Sequence, residues 1–408
     1  MNYCSCRKAR QSAASGLLVC AALIALSLPI RAHAQFAGKA SATGQFESNS
    51  NVFDVPSGFE PPGTNNFRRS DTYFAYGADL DGSYKWGRQE LFGTLYSKEF
   101  KYQHYTDLNH NDYKFDGGLK WKLGEIWDGK LEATRTHNMV PFYDLSGSPL
   151  VLSIVTEQKD LAQIGVKLGS EWKLEGTAYI SRANEPITEA PDLQLTQKSG
   201  SMSLEYSGIG GLTSGLTAGY VSGDYNGTNG TINPSFRQET VAFLANYKLT
   251  RTTVEGQVGY SRRTSDSNID NTSGLTGVID FKQQLTPKTS VTAKIERTIN
   301  SYFLNSGSEI DTDASVGVNW QATYKVAVSA GYTFTYRNFP GQGNNPVGSD
   351  RVDIQEDANM AIIYTPERWL MIKPYANVET RRSTFIGGHY SSTVYGVSFT
   401  VTPYKLKR

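Results

Sequence analysis

Beyond residue 34 the chain has no cysteine, no apolar run as long as a membrane helix, and very little histidine or methionine. The three cysteines are Cys4, Cys6 and Cys20, so disulfide staples and thiol chemistry are excluded from the remainder. No later apolar segment approaches the roughly 20 residues that a spanning helix needs. A large charge of either sign is also lacking. Removing the first 34 residues leaves 36 Lys+Arg against 39 Asp+Glu, a formal charge of −3, and nothing in that balance points to a nucleic-acid partner.

The first 34 residues carry a basic start (Arg7, Lys8, Arg10), an apolar stretch from Gly16 to Pro29, and Ala32-His33-Ala34 before Gln35. That order reads as a cleavable secretory signal, with the mature protein starting near Gln35. The apolar stretch is too short for an anchor, and Val19 is too bulky for lipoprotein processing at Cys20.

Aromatic residues and glycine are plentiful, with 24 Tyr, 18 Phe and 39 Gly. From Lys39 to Val401 hydrophobicity alternates with period two, in about eighteen segments of roughly ten residues. Val291, Ala293 and Ile295 face one way and Thr292, Lys294 and Glu296 the other. Likewise Leu370, Ile372, Ala376 and Val378 oppose Lys373, Tyr375, Asn377, Glu379 and Arg381.

The connections alternate in length. Short ones fall at Lys85 to Gln89, Gly124 to Asp128, Gly169 to Glu171, Ser207 to Gly211, Thr250 to Arg251, Thr286 to Lys288, Ala322 to Thr323 and Pro366 to Arg368. Between them lie longer loops, such as Asp54 to Ser70, Val140 to Gln158 and Pro340 to Asp350. Short turns at one end and long loops at the other are the plan of an outer-membrane barrel, with the turns periplasmic and the loops extracellular. The expected fold is therefore all-β: a transmembrane antiparallel β-barrel of about 18 strands (range 16–18) over residues 35–408. Whether loops such as Asp54 to Ser70 fold inward or stand outside is open at this point, as is the oligomeric state.

Trp86, Trp121, Trp127, Trp172, Trp320 and Trp369 all lie beside short turns. Indole is apolar with one polar handle and favours the boundary between hydrocarbon and water, so six at one end read as a periplasmic aromatic girdle. Charge at the midplane of a barrel's lipid face costs about 2–4 kcal/mol, so the charged alternation must face inward. The expected lumen residues are Lys130, Glu132, Lys173, Glu175, Glu255, Asp280, Lys282, Lys294, Glu296, Asp353, Asp357, Lys373, Tyr375, Glu379 and Arg381. Barrels of 16 to 18 strands hold an aqueous channel, so a polar wall implies a pore.

No enzyme signature is visible, and no metal or other cofactor is implied. His104, His110, His137 and His389 fall in or beside long loops and read as exposed, without zinc spacing. The acidic groups Asp107, Asp112, Asp266 and Asp270 read as solvated. Inward tyrosines such as Tyr179 and Tyr375 either form a stacking track for sugar rings or only fill the wall.

The opening run Gly44-Gln45-Phe46-Glu47-Ser48-Asn49-Ser50-Asn51-Val52-Phe53-Asp54-Val55-Pro56 resembles the first strand of the β-barrel porins of exopolysaccharide biosynthesis operons, the EpsL-like outer-membrane proteins, with Ser50 in place of an Asp. Asp81-Gly82-Ser83-Tyr84-Lys85-Trp86 and Leu119-Lys120-Trp121-Lys122-Leu123-Gly124 add to the likeness. The resemblance implies a pore that exports a secreted polysaccharide, with outer-membrane lipid around it and periplasmic polysaccharide-export proteins as partners. It brings no catalytic residues. A general or substrate-selective porin for small-solute uptake fits the residues equally well.

Overall fold

The computed structural model describes residues 34–60, 67–142, 150, 152–185, 193–226, 235–266, 271–302, 307–340, 351–385 and 387–407. Of the expected signal, residues 1–34, only Ala34 is among them. The strands are β1 (Ala34–Asn49), β2 (Asp71–Trp86), β3 (Gln89–Tyr102), β4 (His110–Leu123), β5 (Trp127–Met139), β6 (Ile154–Leu168), β7 (Trp172–Glu185), β8 (Leu193–Ser207) and β9 (Leu212–Asn226). They continue as β10 (Phe236–Lys248), β11 (Thr252–Ser265), β12 (Thr272–Thr286), β13 (Thr289–Tyr302), β14 (Gly307–Gln321), β15 (Val326–Phe339), β16 (Arg351–Glu367), β17 (Leu370–Ser383) and β18 (Tyr390–Lys407). β6 starts at Ile154, four residues earlier than its polar beginning suggests.

Each strand pairs with its sequence neighbours, and β1 also pairs with β18, so the 18-stranded sheet closes on itself. Both seam pairings of β1 are antiparallel, with Gly44 opposite Phe399 on one side and Tyr76 on the other. Closure satisfies every edge, which in hydrocarbon is obligatory because no water is there to bond a free N–H or C=O. No described helix is long and apolar enough to cross a membrane.

The turns at one rim are tight. β2 returns to β3 through Gly87-Arg88, with Gly87 at φ 59°, and Gly169 starts the β6–β7 turn at φ 81°. Both angles lie in the left-handed region, which glycine reaches without a Cβ clash.

Period two sorts the wall into two faces. On the outer face, apolar side chains stand open: Leu131 is 50 % exposed, Leu216 62 % and Leu275 67 %. A soluble protein rarely leaves so continuous an apolar surface uncovered. The alternate positions face inward. All six tryptophans stand at the short-turn rim: Trp86 ends β2, Trp127 and Trp172 begin β5 and β7, Trp121 and Trp320 lie near the ends of β4 and β14, and Trp369 sits in the β16–β17 turn.

Candidate functional site

The inner face is where the polar chemistry collects, and it is uneven along the barrel axis. Near the long-loop rim its residues are buried: Asp71, Ser261, Arg263, Arg351, Asp353 and Arg381 are all nearly inaccessible. Toward the short-turn rim, Lys85, Lys248 and Glu255 are open to solvent. The lumen is therefore packed at one end and open at the other.

Part of that packing is a cap of loops over β1–β6. Val52, Phe53 and Val55 of the first loop cluster with Leu108 and Phe142 of the next two, and Tyr102, Tyr105 and Met139 pack against them. Phe53 sits edge-on to Tyr105 at 4.6 Å between ring centroids. Polar anchors fix the cap. Asn51 donates to the Val55 carbonyl at 2.8 Å and to that of Ser391 at 3.1 Å, while Asp71 accepts from the His104 and Tyr105 amides at 3.2 and 3.0 Å. The described part of the first loop thus joins a packed cap at the long-loop rim.

The rest of the narrowing comes from one hairpin. β13 pairs with β12 only as far as Arg297 opposite Gly277, although β12 runs on to Thr272 and β13 to Tyr302. Past that point β13 stays paired with β14 alone, down to Tyr302 opposite Gly307, and leans into the lumen. There the Ser301 hydroxyl accepts from Gln197 Nε2 of β8 at 3.1 Å and from Arg263 Nη1 of β11 at 2.9 Å. β8 and β13 are five strands apart in the sheet, so this contact bridges the interior. On one side of it is a cavity of about 630 Å³ bordered by Lys159, Tyr179, Gln197, Asn300, Glu309 and Arg337. A smaller one of about 360 Å³ lies on the other side, bordered by Gln238, Thr240, Gln257, Ser261 and Glu296. Lys159 Nζ lies 4.3 Å from the centre of the Tyr179 ring.

The fifteen residues expected to line the lumen all sit on the inner face, distributed over several groups. Lys130 pairs with Glu132. Lys173 reaches Glu175 at 2.7 Å and Asp128 at 3.2 Å. Lys294 contacts Glu296 at 2.6 Å, and Glu255 contacts Lys248 at 3.0 Å. Asp280 lies opposite both Glu255 and Lys294, and Lys282 opposite Thr253. In the buried end, Asp353 takes Arg351 at 2.9 Å together with Arg381 and the Ser383 hydroxyl. Glu379 accepts from Gln355 at 2.8 Å and from Tyr390, and Asp357 accepts from Asn377 at 2.8 Å. Lys373 faces Ser398 of β18.

Tyr375 belongs to a network that the sequence does not announce. Glu47 accepts from the Tyr375 and Tyr73 hydroxyls and from Gln45 Nε2 at 2.7 Å, while Lys98 Nζ donates to Gln45 Oε1. These residues come from β17, β1, β2 and β3, so the network spans the seam where β1 meets β18. Gly396 of β18 makes room: a Cβ there would stand 2.6 Å from the Tyr375 hydroxyl and 2.7 Å from the Phe46 carbonyl oxygen.

Two histidines differ from their reading as exposed loop residues. His110 is buried in β4, stacked on Phe100 at 4.5 Å, and its Nε2 lies 3.6 Å from Asp112, which also accepts from the Met139 amide. His137 stacks on Tyr113 at 4.8 Å in β5. Strand β4 begins at His110, before the expected loop end at Asp112, and β5 ends at Met139, just before the loop expected from Val140, so both groups lie in the wall. Asp112 is thus held by neighbours rather than merely solvated. Among the described residues no group of His, Cys, Asp and Glu is arranged to hold a metal.

Residues 245–402 match the family model described as "Putative beta-barrel porin 2". The sequence matches no curated protein. Among solved structures, the FrpB iron transporter of Neisseria meningitidis (F5-1 variant) is similar at 10 % identity and a TM-score of 0.50, over 84 % of this chain and 63 % of that one. The F3-3 variant gives 11 % identity and 0.49, over 85 % and 63 %. OccK9 (OpdG) of Pseudomonas aeruginosa gives 10 % and 0.48, over 90 % of this chain and 98 % of that one. The chain thus spans less than two thirds of the FrpB length. The shared feature is the fold, a closed antiparallel barrel, and residues 245–402 carry the likeness to the porin family model.

Proposed function

We propose that the chain forms a pore of the bacterial outer membrane that passes small polar solutes, with its short turns in the periplasm and its long loops outside. The observation that carries this reading is the gradient along the inner face: an open, charged vestibule at the tryptophan rim leads to a narrowing where Gln197, Arg263 and Ser301 meet. Apolar side chains on the outer wall supply the contact with lipid, and the tryptophan rim supplies the interface anchors. Both acids and bases border the narrowing, which suits solutes with several hydroxyl or charged groups.

A second reading is the export of a secreted exopolysaccharide with periplasmic export partners. The specific observation in its favour is the inner aromatic run on β2 and β3, where Tyr73 lies 5.6 Å from Phe100 and 5.1 Å from Tyr102 between ring centroids. Sugar rings stack on such planes. A long polymer, however, needs the hairpin and the loop cap to move aside.

Single-channel recording in planar bilayers separates these readings. Small-solute passage expects a modest conductance in the wild type, raised in the double variant Gln197→Ala with Ser301→Ala, whose bridge is lost. A closed wild type that opens only with polymer fragments present would favour export, and a folded protein without channels in either case would refute both.

A further inference from the structure

The outer wall carries a feature that a uniform lipid-facing surface does not require. Between β1 and β8 it is hollowed by a groove of about 1250 Å³, and a second of about 790 Å³ adjoins it toward β9. The hollow has a sequence cause. Gly82, Gly93, Gly117 and Ala133 are successive cross-strand neighbours on the outer face, and Ala162, Ala178 and Gly200 form a second row, offset by two residues toward the short turns, that starts opposite Leu131. Larger apolar residues, such as Leu119, Leu131 and Ile180, form its sides.

Directly above the groove, toward the long loops, the outer face turns basic. In one register row Arg135, Gln158 and Arg182 are neighbours, followed by Thr196. In the row below, Asp160, Ile180, Lys198, Ser222 and Arg237 follow one another. Arg135, Arg182, Lys198 and Arg237 are all exposed, and no ion pair engages any of them among the described residues. Lys198 and Asp160 also border the groove itself. Lys198 stands eight residues from Tyr206 near the short-turn rim. At about 3.3 Å per residue and a strand tilt of about 40°, that is roughly 20 Å along the barrel axis. A barrel's apolar band is about 25 Å tall, so these cations lie at its outer edge, where lipid headgroups begin.

We propose that this face binds an anionic lipid of the outer leaflet, its acyl chains in the groove and its phosphate on the diagonal neighbours Arg182 and Lys198, with Arg135 and Arg237 flanking them on β5 and β10. The charge selects the occupant. Asp160 and the exposed Asp224, opposite Thr196, offset only part of this charge, so a neutral lipid would leave a surplus of cations, and a second copy of the chain would set this basic belt against its own like. Guanidinium groups suit phosphate oxygens through paired N–H donors, and small residues beneath let the chains lie close to the backbone. The proposal rests on the reading of this wall as lipid-facing.

The test uses the full chain in mixed detergent micelles with phosphatidylglycerol or phosphatidylcholine of identical acyl chains, and bound lipid is counted by native mass spectrometry. The expected result is retention of phosphatidylglycerol over phosphatidylcholine by about tenfold, lost in the triple variant Arg135→Gln, Arg182→Gln, Lys198→Gln. Ala178→Phe, which fills the groove and keeps every charge, is expected to reduce retention of the anionic lipid. Equal retention of both lipids, or displacement of the lipid by millimolar inorganic phosphate alone, overturns the proposal. Loss of a dimer in Ala178→Phe with lipid retention unchanged also overturns it, since the groove is then a protein interface. Gel mobility before and after heating verifies that each variant is folded. Intact channels in a variant that has lost lipid preference leave the pore reading standing apart from this one.

Discussion

Leu131 and Glu132 are sequence neighbours on opposite faces of one wall, and an arginine placed at each in turn measures what those faces touch. Leu131 is 50 % exposed on the outer side and stands four residues from Trp127 in β5. At about 3.3 Å per residue and about 40° of tilt it lies roughly 10 Å above the tryptophan rim, near the middle of a band about 25 Å tall. Arginine at such a depth costs about 2–4 kcal/mol, which is roughly 30- to 1000-fold in the folding constant. Glu132 faces the lumen and pairs with Lys130, and its side chain is only 18 % exposed. Its replacement by arginine removes one partly screened ion pair and adds repulsion from Lys130, a loss of about 1 kcal/mol in a wet lumen. Equilibrium unfolding in urea from lipid vesicles gives both values. Leu131→Arg should be the worse of the two by at least about 1 kcal/mol. Equal costs, or a larger cost for Glu132→Arg, would refute the assignment of faces and with it the pore.

Three further outcomes are expected. Asp353→Asn leaves Arg351 and Arg381 together in a site where all three residues are buried, and should cost about 3–5 kcal/mol in the same unfolding assay. A change below about 1 kcal/mol would mean that water reaches those guanidinium groups. Gly396→Val drives a branched Cβ against the Phe46 carbonyl and the Tyr375 hydroxyl, so the heat-resistant, fast-migrating form on gels should melt at lower temperature. Tyr375→Phe, which removes the hydrogen bond to Glu47 and the one from Gln45, should do so by less, about 1.5–3 kcal/mol. Tryptophan emission should be quenched more by lipids brominated near the headgroup than by lipids brominated at the chain ends, because all six indoles occupy one rim. The reverse order would displace that rim from the interface.

Much of this architecture is legible in the sequence because the bilayer imposes local rules. A residue's face follows from its neighbours two positions away, so Lys294 and Ile295 sort themselves without tertiary information, and eighteen strands with alternating connections emerge from turn chemistry and period. What is not legible depends on partners far apart in the chain. Gln197 meets Ser301 across the interior, and nothing near either residue marks the place where β13 leaves β12. Glu47 looks like one more inward carboxylate until the closure of the ring brings Tyr375 beside it. His110 and Asp112 were hidden for a simpler reason. The polar end of a strand resembles a loop, since above the hydrocarbon the alternation of apolar and polar residues that identifies strands disappears.

The join between β1 and β18 has a consequence for biogenesis. The pair lies at opposite ends of the polypeptide, with Gly44 opposite Phe399, so until the last strand arrives the assembling sheet has two raw margins. Each is a row of unmet amide groups, open to any other extended chain. Ring closure also needs the most distant pairing in the molecule, the kind of contact that forms slowly. Until closure, the topology keeps both margins exposed to wrong pairing, so the slowest step is also the one most open to aggregation. Glu47, Tyr73 and Tyr375 then act as a clasp that engages only when the circle is complete.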